Sequence, residues 1–251
     1  MAAYYNELDP FAAQWLRNLI AAGHIAPGEV DERSITEVRP DDLRGFQQCH
    51  FFAGVGGWSL AARLAGIPDD FPLWTGSCPC QPFSCAGHRR GHTDERHLWP
   101  AFYALIAECR PATVAGEQVA SRLGREWLAA VRADLEHVGY AVGAADLPAA
   151  SVGAPHIRQR LFWLADTGGP RLARRQEQPA RPERTAVERG SNAGFWSAVE
   201  YLPCRDGKAR PTQPGLFPLA HGVPGRVGRL RAYGNAIVPQ VGAAFLTAAM
   251  A

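Results

Sequence analysis

The sequence predicts an α/β protein whose strands lie in a largely parallel sheet. Three strand–turn–helix units predict it. Ala2 to Tyr5 is a short apolar run, followed by a polar turn and a helical stretch opened by Pro10. Cys49 to Ala53 runs into Gly54-Val55-Gly56-Gly57 and then an amphipathic segment, Trp58 to Leu64. Thr113 to Ala115 leads through Gly116-Glu117-Gln118-Val119 to a helical stretch from Arg125 to Val138. Short apolar strands alternating with helices of this length point to crossover units.

Each element has a local reason. Asp9 is placed to cap the first helix and Pro10 sits well in its first turn. Phe11, Trp15, Leu16, Leu19 and Ile20 recur at helical spacing until Gly23 ends the run. Glu7 lies between that strand and that helix. Such an acid accepts both hydroxyls of a ribose well, and it also simply favours a helix start. Glu29 to Val38 reads as a second strand, stopped by Pro40. In the glycine turn after Ala53, residues without Cβ let a ligand approach the backbone, and the following helix offers free amides. The turn lacks full dinucleotide spacing, which argues against NAD and against a phosphate cradle.

Phe71 to Trp74 reads as a buried strand, followed by a turn at Thr75-Gly76-Ser77 and then Cys78-Pro79-Cys80-Gln81-Pro82-Phe83-Ser84. Pro79 and Pro82 stiffen the backbone on either side of Cys80. A cysteine in a rigid turn at the carboxyl end of a strand is where an α/β sheet places its chemistry. Ala86 to Glu95 is a polar loop with Arg89 and Arg90, basic enough to touch a phosphate backbone. Helical spacing returns from His97 to Cys109, and Tyr140 to Leu147 is a strand. Arg158 and Arg160, two apart before the run Leu161 to Ala165, are expected to share one face of a strand. The pattern collapses from Asp166 to Pro218, and a last apolar helix is expected from Gln240 to Met250.

At 251 residues and 47% hydrophobic content, the chain is long enough for one large domain, or one domain and a small lobe. No apolar run reaches membrane-span length, and no basic-then-apolar leader opens the chain, so a cytoplasmic protein is expected. Six cysteines without an even framework fit free thiols in a reducing compartment, and no metal site is expected. The net charge of +2 hides an asymmetry. Through Pro155 there are 12 basic and 18 acidic residues; from His156 onward there are 14 and 6. A basic C-terminal third suggests a polyanionic partner.

Together these pieces resemble the cytosine-C5 DNA methyltransferases. Phe52-Ala53-Gly54-Val55-Gly56-Gly57 is similar to the family's first cofactor motif, and Pro79-Cys80-Gln81-Pro82-Phe83-Ser84 to its nucleophile motif. Glu117-Gln118-Val119 resembles Glu-Asn-Val, with Gln in the middle place. His156-Ile157-Arg158-Gln159-Arg160 resembles Gln-x-Arg-x-Arg, with His first. Gly234-Asn235-Ala236 resembles the closing motif. The likeness covers roughly residues 3 to 165 and 226 to 250. The second and third motifs are missing from their usual place after the glycine loop. Their counterparts are at the N-terminus, where Asn6-Glu7-Leu8-Asp9 resembles the ribose-binding acid motif and Ser34-Ile35 takes the adenine-side place, with Ser where the family often has Asp.

The resemblance implies a Rossmann-like class I methyltransferase sheet with rearranged strand order and a small irregular target-recognition lobe. Residues 1–165 would form the catalytic and cofactor-binding domain, 166–225 the lobe, and 226–251 a segment returning to the domain. It further implies S-adenosylmethionine as cofactor, double-stranded DNA as substrate, a monomer, and a bacterial or phage-infected host cell with a restriction-modification or phage role. Cys80 would attack C6 of a flipped cytosine. Glu117 would hold N3 and the amino edge, Arg160 the O2, and Arg158 would brace the site. Phe52, Ala53, Gly54, Gly56, Gly57, Glu7, Leu8, Ser34, Ile35, Pro79, Asn235 and Ala236 would line the cofactor site. Gln81, Ser84, Arg89, Arg90 and Arg96 would meet DNA. An RNA (tRNA) cytosine-C5 methyltransferase and a non-catalytic DNA-binding relic of the fold stay open as alternatives. One topological expectation follows. The helix after the glycine turn now leads directly to the strand before Cys80, so a right-handed connection requires it to change faces of the sheet.

Overall fold

The computed structural model describes residues 3–79, 98–154, 156–168, 200–203, 209–212 and 236–250. The elements are β1 (Ala3–Asn6), α1 (Pro10–Ala21), β2 (Gly28–Asp31), β3 (Gln48–Phe51), α2 (Gly57–Leu64), β4 (Leu73–Gly76), α3 (Trp99–Cys109), β5 (Thr113–Val119), α4 (Arg122–His137), β6 (Ala141–Pro148), β7 (Gln159–Asp166), β8 (Glu200–Pro203), β9 (Ala209–Thr212) and α5 (Pro239–Met250). Seven strands form one sheet in the order β2-β1-β3-β4-β5-β7-β6, and β8 and β9 pair antiparallel by themselves. The first five strands in that row are parallel, and β7 runs against both of its neighbours.

Side chains alternate cleanly between the two faces. Tyr4, Phe51, Trp74, Val114 and Trp163 point to one face, where Phe102 and Ile106 of α3 and Val131 and Leu135 of α4 close over them. Tyr5, Leu73, Ala115 and Phe162 point to the other, beneath α1, α2 and α5. Close packing at the middle of the sheet depends on Gly116, because a Cβ there would come within 2.4 Å of the Trp163 ring and 2.5 Å of the Gly76 carbonyl oxygen.

The expected change of face by the glycine-loop helix does not occur. The connections β3–α2–β4 and β4–α3–β5 step the same way across the sheet, yet α2 and α3 lie on opposite faces. Two such crossovers have opposite hands. The connection β1–α1–β2 steps the other way with its helix on the α2 face, so it shares the hand of the α3 crossover. The α2 crossover is therefore the odd one, and against the strong right-handed preference it is the left-handed one. Side-chain contacts hold α2 where it is. Ser59 Oγ accepts from Ala26 N at 3.1 Å and bonds the Tyr5 hydroxyl at 2.9 Å, and Trp58 meets Phe162 edge to face at 5.9 Å.

Other boundaries move as well. The second strand is only Gly28–Asp31; Ser34 caps a single 3₁₀ turn, Ile35–Glu37, with Glu37 closing a capping box onto the Ser34 amide. Thr75 and Gly76, expected in a turn, are strand residues. β5 runs through Glu117 to Val119, because β7 pairs with its whole length. Arg158 precedes β7 with a positive φ of 32° and so does not share a strand face with Arg160. Tyr201 and Leu202, in the stretch where the pattern collapses, lie in β8.

A polar row crosses the sheet within the apolar α1–α2 side. Tyr5, His50 and Thr75 are cross-strand partners on β1, β3 and β4. His50 Nδ1 bonds Thr75 Oγ1 at 2.8 Å, its Nε2 bonds Gln48 Oε1 at 3.2 Å, and Tyr5 stacks on its ring at 5.0 Å. Burial pushes the imidazole pKa down to about 3. In the unfolded chain it protonates near pH ~6.5. The folded chain therefore excludes a proton that the unfolded chain binds, and stability is lost as pH falls below that point. His50→Gln should remove a dependence of about 1.4 kcal/mol per pH unit between roughly pH 6 and pH 4. Urea unfolding of both proteins across that range checks it.

Candidate active site

The carboxyl ends of β1, β3, β4 and β5 open into one cavity of about 810 Å³, the place where parallel α/β sheets bind ligands. Each wall comes from the short segment that follows or ends a strand. After β1 come Glu7 and Leu8. Glu7 Oε2 accepts from Gly54 N at 2.7 Å and its Oε1 from Asp9 N at 2.9 Å, so the acid is fastened to the glycine turn. Two residues of that turn need glycine. Gly54 and Gly56 have φ of 55° and 77°, and a Cβ on Gly56 would meet Ile25 at 3.1 Å. Phe52 also has positive φ, 51°, a strained conformation of the kind that collects at functional sites.

On the neighbouring wall, Asn6 is buried and donates to the carbonyl oxygen of Arg33 at 2.9 Å, which sets Ser34 and Ile35 against the cavity. The Ser34 hydroxyl is engaged in capping, accepting from Thr36 N at 3.3 Å and bonding Thr36 Oγ1 at 2.8 Å. Leu8 is 63% exposed, an apolar surface that a flat ring would cover.

Glu117 and Arg160 are diagonal neighbours across β5 and β7, in the register Glu117–Phe162 and Val119–Arg160. Arg160 Nε meets Glu117 Oε1 at 2.7 Å. Burial raises the Glu117 pKa above the ordinary carboxylate range, while the guanidiniums of Arg160 and Arg158 pull it back. Arg158 Nη2 donates to the Ala236 carbonyl oxygen at 2.6 Å and so ties the segment before α5 to the site. Gln118, in the place where the resemblance has Asn, reaches from β5 to the Cys78 carbonyl oxygen at 3.4 Å and accepts from Val119 N at 2.9 Å.

Of the site residues named from the sequence, Glu7, Leu8, Ser34, Ile35, Phe52, Ala53, Gly54, Gly57, Pro79, Glu117, Arg158, Arg160 and Ala236 line this one cavity. Gly56 lies just behind it, against Leu16 and Ile25. Cys80, Gln81, Ser84, Arg89, Arg90, Arg96 and Asn235 lie outside the described residues. Sequence reasoning did not single out Asn6, Trp58, Ser77, Cys78 or Gln118 as site residues, although all five line the cavity. Cys78 is buried, and burial pushes its thiol pKa well up, which makes it a poor thiolate. Among the described residues, no group of three or more His, Cys, Asp or Glu could hold a metal, and no helix is long and apolar enough to cross a membrane.

A family model described as C-5 cytosine-specific DNA methylase matches residues 59–186, a little over half of the chain. The Type II methyltransferase M.AplI of Arthrospira platensis is 37% identical over 150 residues, covering 45% of this chain and 44% of that protein. The Type II methyltransferase M.AgeI of Thalassovita gelatinovora is 30% identical over 127 residues, covering 49% of this chain and 30% of that protein. The chain spans less than half the length of these curated relatives. A solved structure of a variant of Spodoptera frugiperda DNMT2 is similar with a TM-score of 0.50 at 14% identity, over 78% of this chain and 51% of that one. At that identity the likeness bears on the fold alone.

Proposed function

The chain belongs to the C-5 cytosine-specific DNA methylase family, and from that premise we propose that it methylates C5 of cytosine in double-stranded DNA through a covalent adduct on Cys80. The observation that carries this reading is the Glu117–Arg160 pair, 2.7 Å apart, in the same cavity as Glu7 and the Gly54 turn. A carboxyl group whose proton affinity burial raises and a fixed guanidinium match the N3, amino and O2 edge of a cytosine.

S-adenosylmethionine would supply the methyl group. The cavity fits such a donor. The Glu7 carboxylate would accept from vicinal hydroxyls, Leu8 and Ile35 would offer apolar surface to a purine, and the Gly54 turn would let the backbone come close. The reading of Glu7 and Ser34 as displaced second and third motifs is supported by β1 and β2 lying outboard of β3. Glu7→Ala should weaken donor binding on the order of a hundredfold through loss of charge-assisted hydrogen bonds, with transfer at saturating donor much less affected. Calorimetric titration with S-adenosylhomocysteine checks it; unchanged affinity would remove Glu7 from the site.

In the proposed reaction the Cys80 thiolate forms an S–C6 bond, and the displaced electron pair makes C5 nucleophilic. Glu117 donates to N3 and relieves the charge that develops there, while Arg160 meets O2. C5 takes the methyl group as the donor's sulfonium becomes a thioether. A base then removes the C5 proton, and the pair left behind expels the thiolate. The base must leave the duplex for this, at a cost of a few kcal/mol. Residues 166–225 would read sequence through arginines on guanine edges. Labelled donor incubated with genomic DNA or with tRNA tests the substrate, and bisulfite sequencing of the labelled DNA tests the position. Label in DNA at C5 of cytosine supports the proposal; label in tRNA alone would turn it to RNA, and label in neither would favour a non-catalytic relic.

A further inference from the structure

The first turn of α2 carries a side chain that the reaction above does not use. Trp58 follows the glycine turn directly, and its indole Nε1 donates to Ser77 Oγ at 2.9 Å. The ring is 5% exposed, with Phe162 edge-on at 5.9 Å. Gly242 of α5 faces its other parts, since a Cβ there would lie 3.7 Å from the ring. A ring so enclosed has one place to aim its N–H. Ser77 directly follows β4 and precedes Cys80 by three residues. Behind it, the Phe102 ring packs so closely on Gly76 that no Cβ fits. The next carbonyl, that of Cys78, accepts from Gln118. The turn leading to the thiol is thus held by α2 from one face of the sheet and by Gln118 of the neighbouring strand β5.

We infer that Trp58 and Ser77 are positioning residues, whose hydrogen bond keeps the turn before Cys80 in register with the glycine loop that would hold the donor. This deepens the proposed function and rests on it. Neither side chain has a part in the bond-making steps proposed above. Both fix the distance between two loops that different strands supply, and a misplacement of about 1 Å at such a point can cost up to about a hundredfold in rate. The left-handed crossover gives the contact its reason. The helix that carries the glycine loop leads directly into the strand that carries the thiol, so one hydrogen bond can set the spacing of both.

The test is a double-mutant cycle on single-turnover methyl transfer to genomic DNA at saturating donor, with donor affinity measured beside it. Trp58→Phe keeps the ring and removes the donor N–H; Ser77→Ala removes the acceptor; Ser77→Thr keeps it. Each of the first two should slow transfer about tenfold to a hundredfold, with donor affinity changed much less than the rate. The double variant should be no slower than the slower single one, and Ser77→Thr should keep most of the wild-type rate. Single variants within about twofold of wild type, losses that multiply in the double variant, or Ser77→Thr as slow as Ser77→Ala would overturn the positioning role. A wild-type chain that transfers no methyl group to DNA would count against the function itself and remove the positioning role with it.

Discussion

Cys80→Ser is expected to lose methyl transfer by on the order of 10⁴-fold or more, while donor and DNA binding stay near wild type. A serine hydroxyl has no thiolate form to add to C6, so the electron-rich C5 never forms and the donor's methyl group has nowhere to go. The control is built into the chain. Cys78 stands two residues earlier and lines the cavity, but it is buried and its thiol is held protonated. Cys78→Ser in an otherwise intact chain should therefore keep a reactive Cys80. Initial rates with labelled donor, beside calorimetric donor affinities, separate lost chemistry from lost binding.

Glu117→Gln should slow transfer on the order of 10²- to 10³-fold, the usual loss when one fixed donor aimed at developing charge is removed. Donor affinity should hold, because Glu7 and the glycine turn are untouched. The pH profile carries more information than the rate. Only the protonated carboxyl can donate to N3, and burial raises the Glu117 pKa although Arg160 at 2.7 Å pulls it back. The wild-type single-turnover rate should therefore fall as pH rises through that raised pKa, and Glu117→Gln should lose this limb. A glutamine variant that keeps both rate and limb would remove Glu117 from the proton inventory.

The parts of this site that were legible in the sequence are those whose chemistry is local. Gly54 and Gly56 announce a turn where a ligand can approach the backbone, Asp9-Pro10 a helix start, and Glu7 an acid at the end of a short strand. Each depends on neighbours within a few residues, and each lines or backs the cavity. What the sequence obscured depends on pairing at long range. Glu117 read as a residue beyond a strand, but β7 carries β5 on to Val119. Gly76 read as a turn, but the Phe102 ring fills the space that a side chain would take. Arg158 read as a strand partner of Arg160, but it turns away at positive φ to reach Ala236. The face chosen by α2 was misread because handedness is only a statistical preference. Here it is outweighed by Ser59 fastened to Tyr5 and Ala26, and by Trp58 packed on Phe162.

The central claim is that a sulfur, a carboxyl group and a guanidinium act together on one extruded cytosine, and trapping tests it most directly. Duplex DNA carrying 5-fluorocytosine, incubated with the protein and S-adenosylmethionine, should give an adduct that survives denaturation, because fluorine at C5 cannot leave as a proton does. Fragment mass spectrometry should place the DNA on Cys80, and Cys80→Ser should form none. An adduct on Cys78, or no adduct from a chain that still methylates ordinary DNA, would contradict the account.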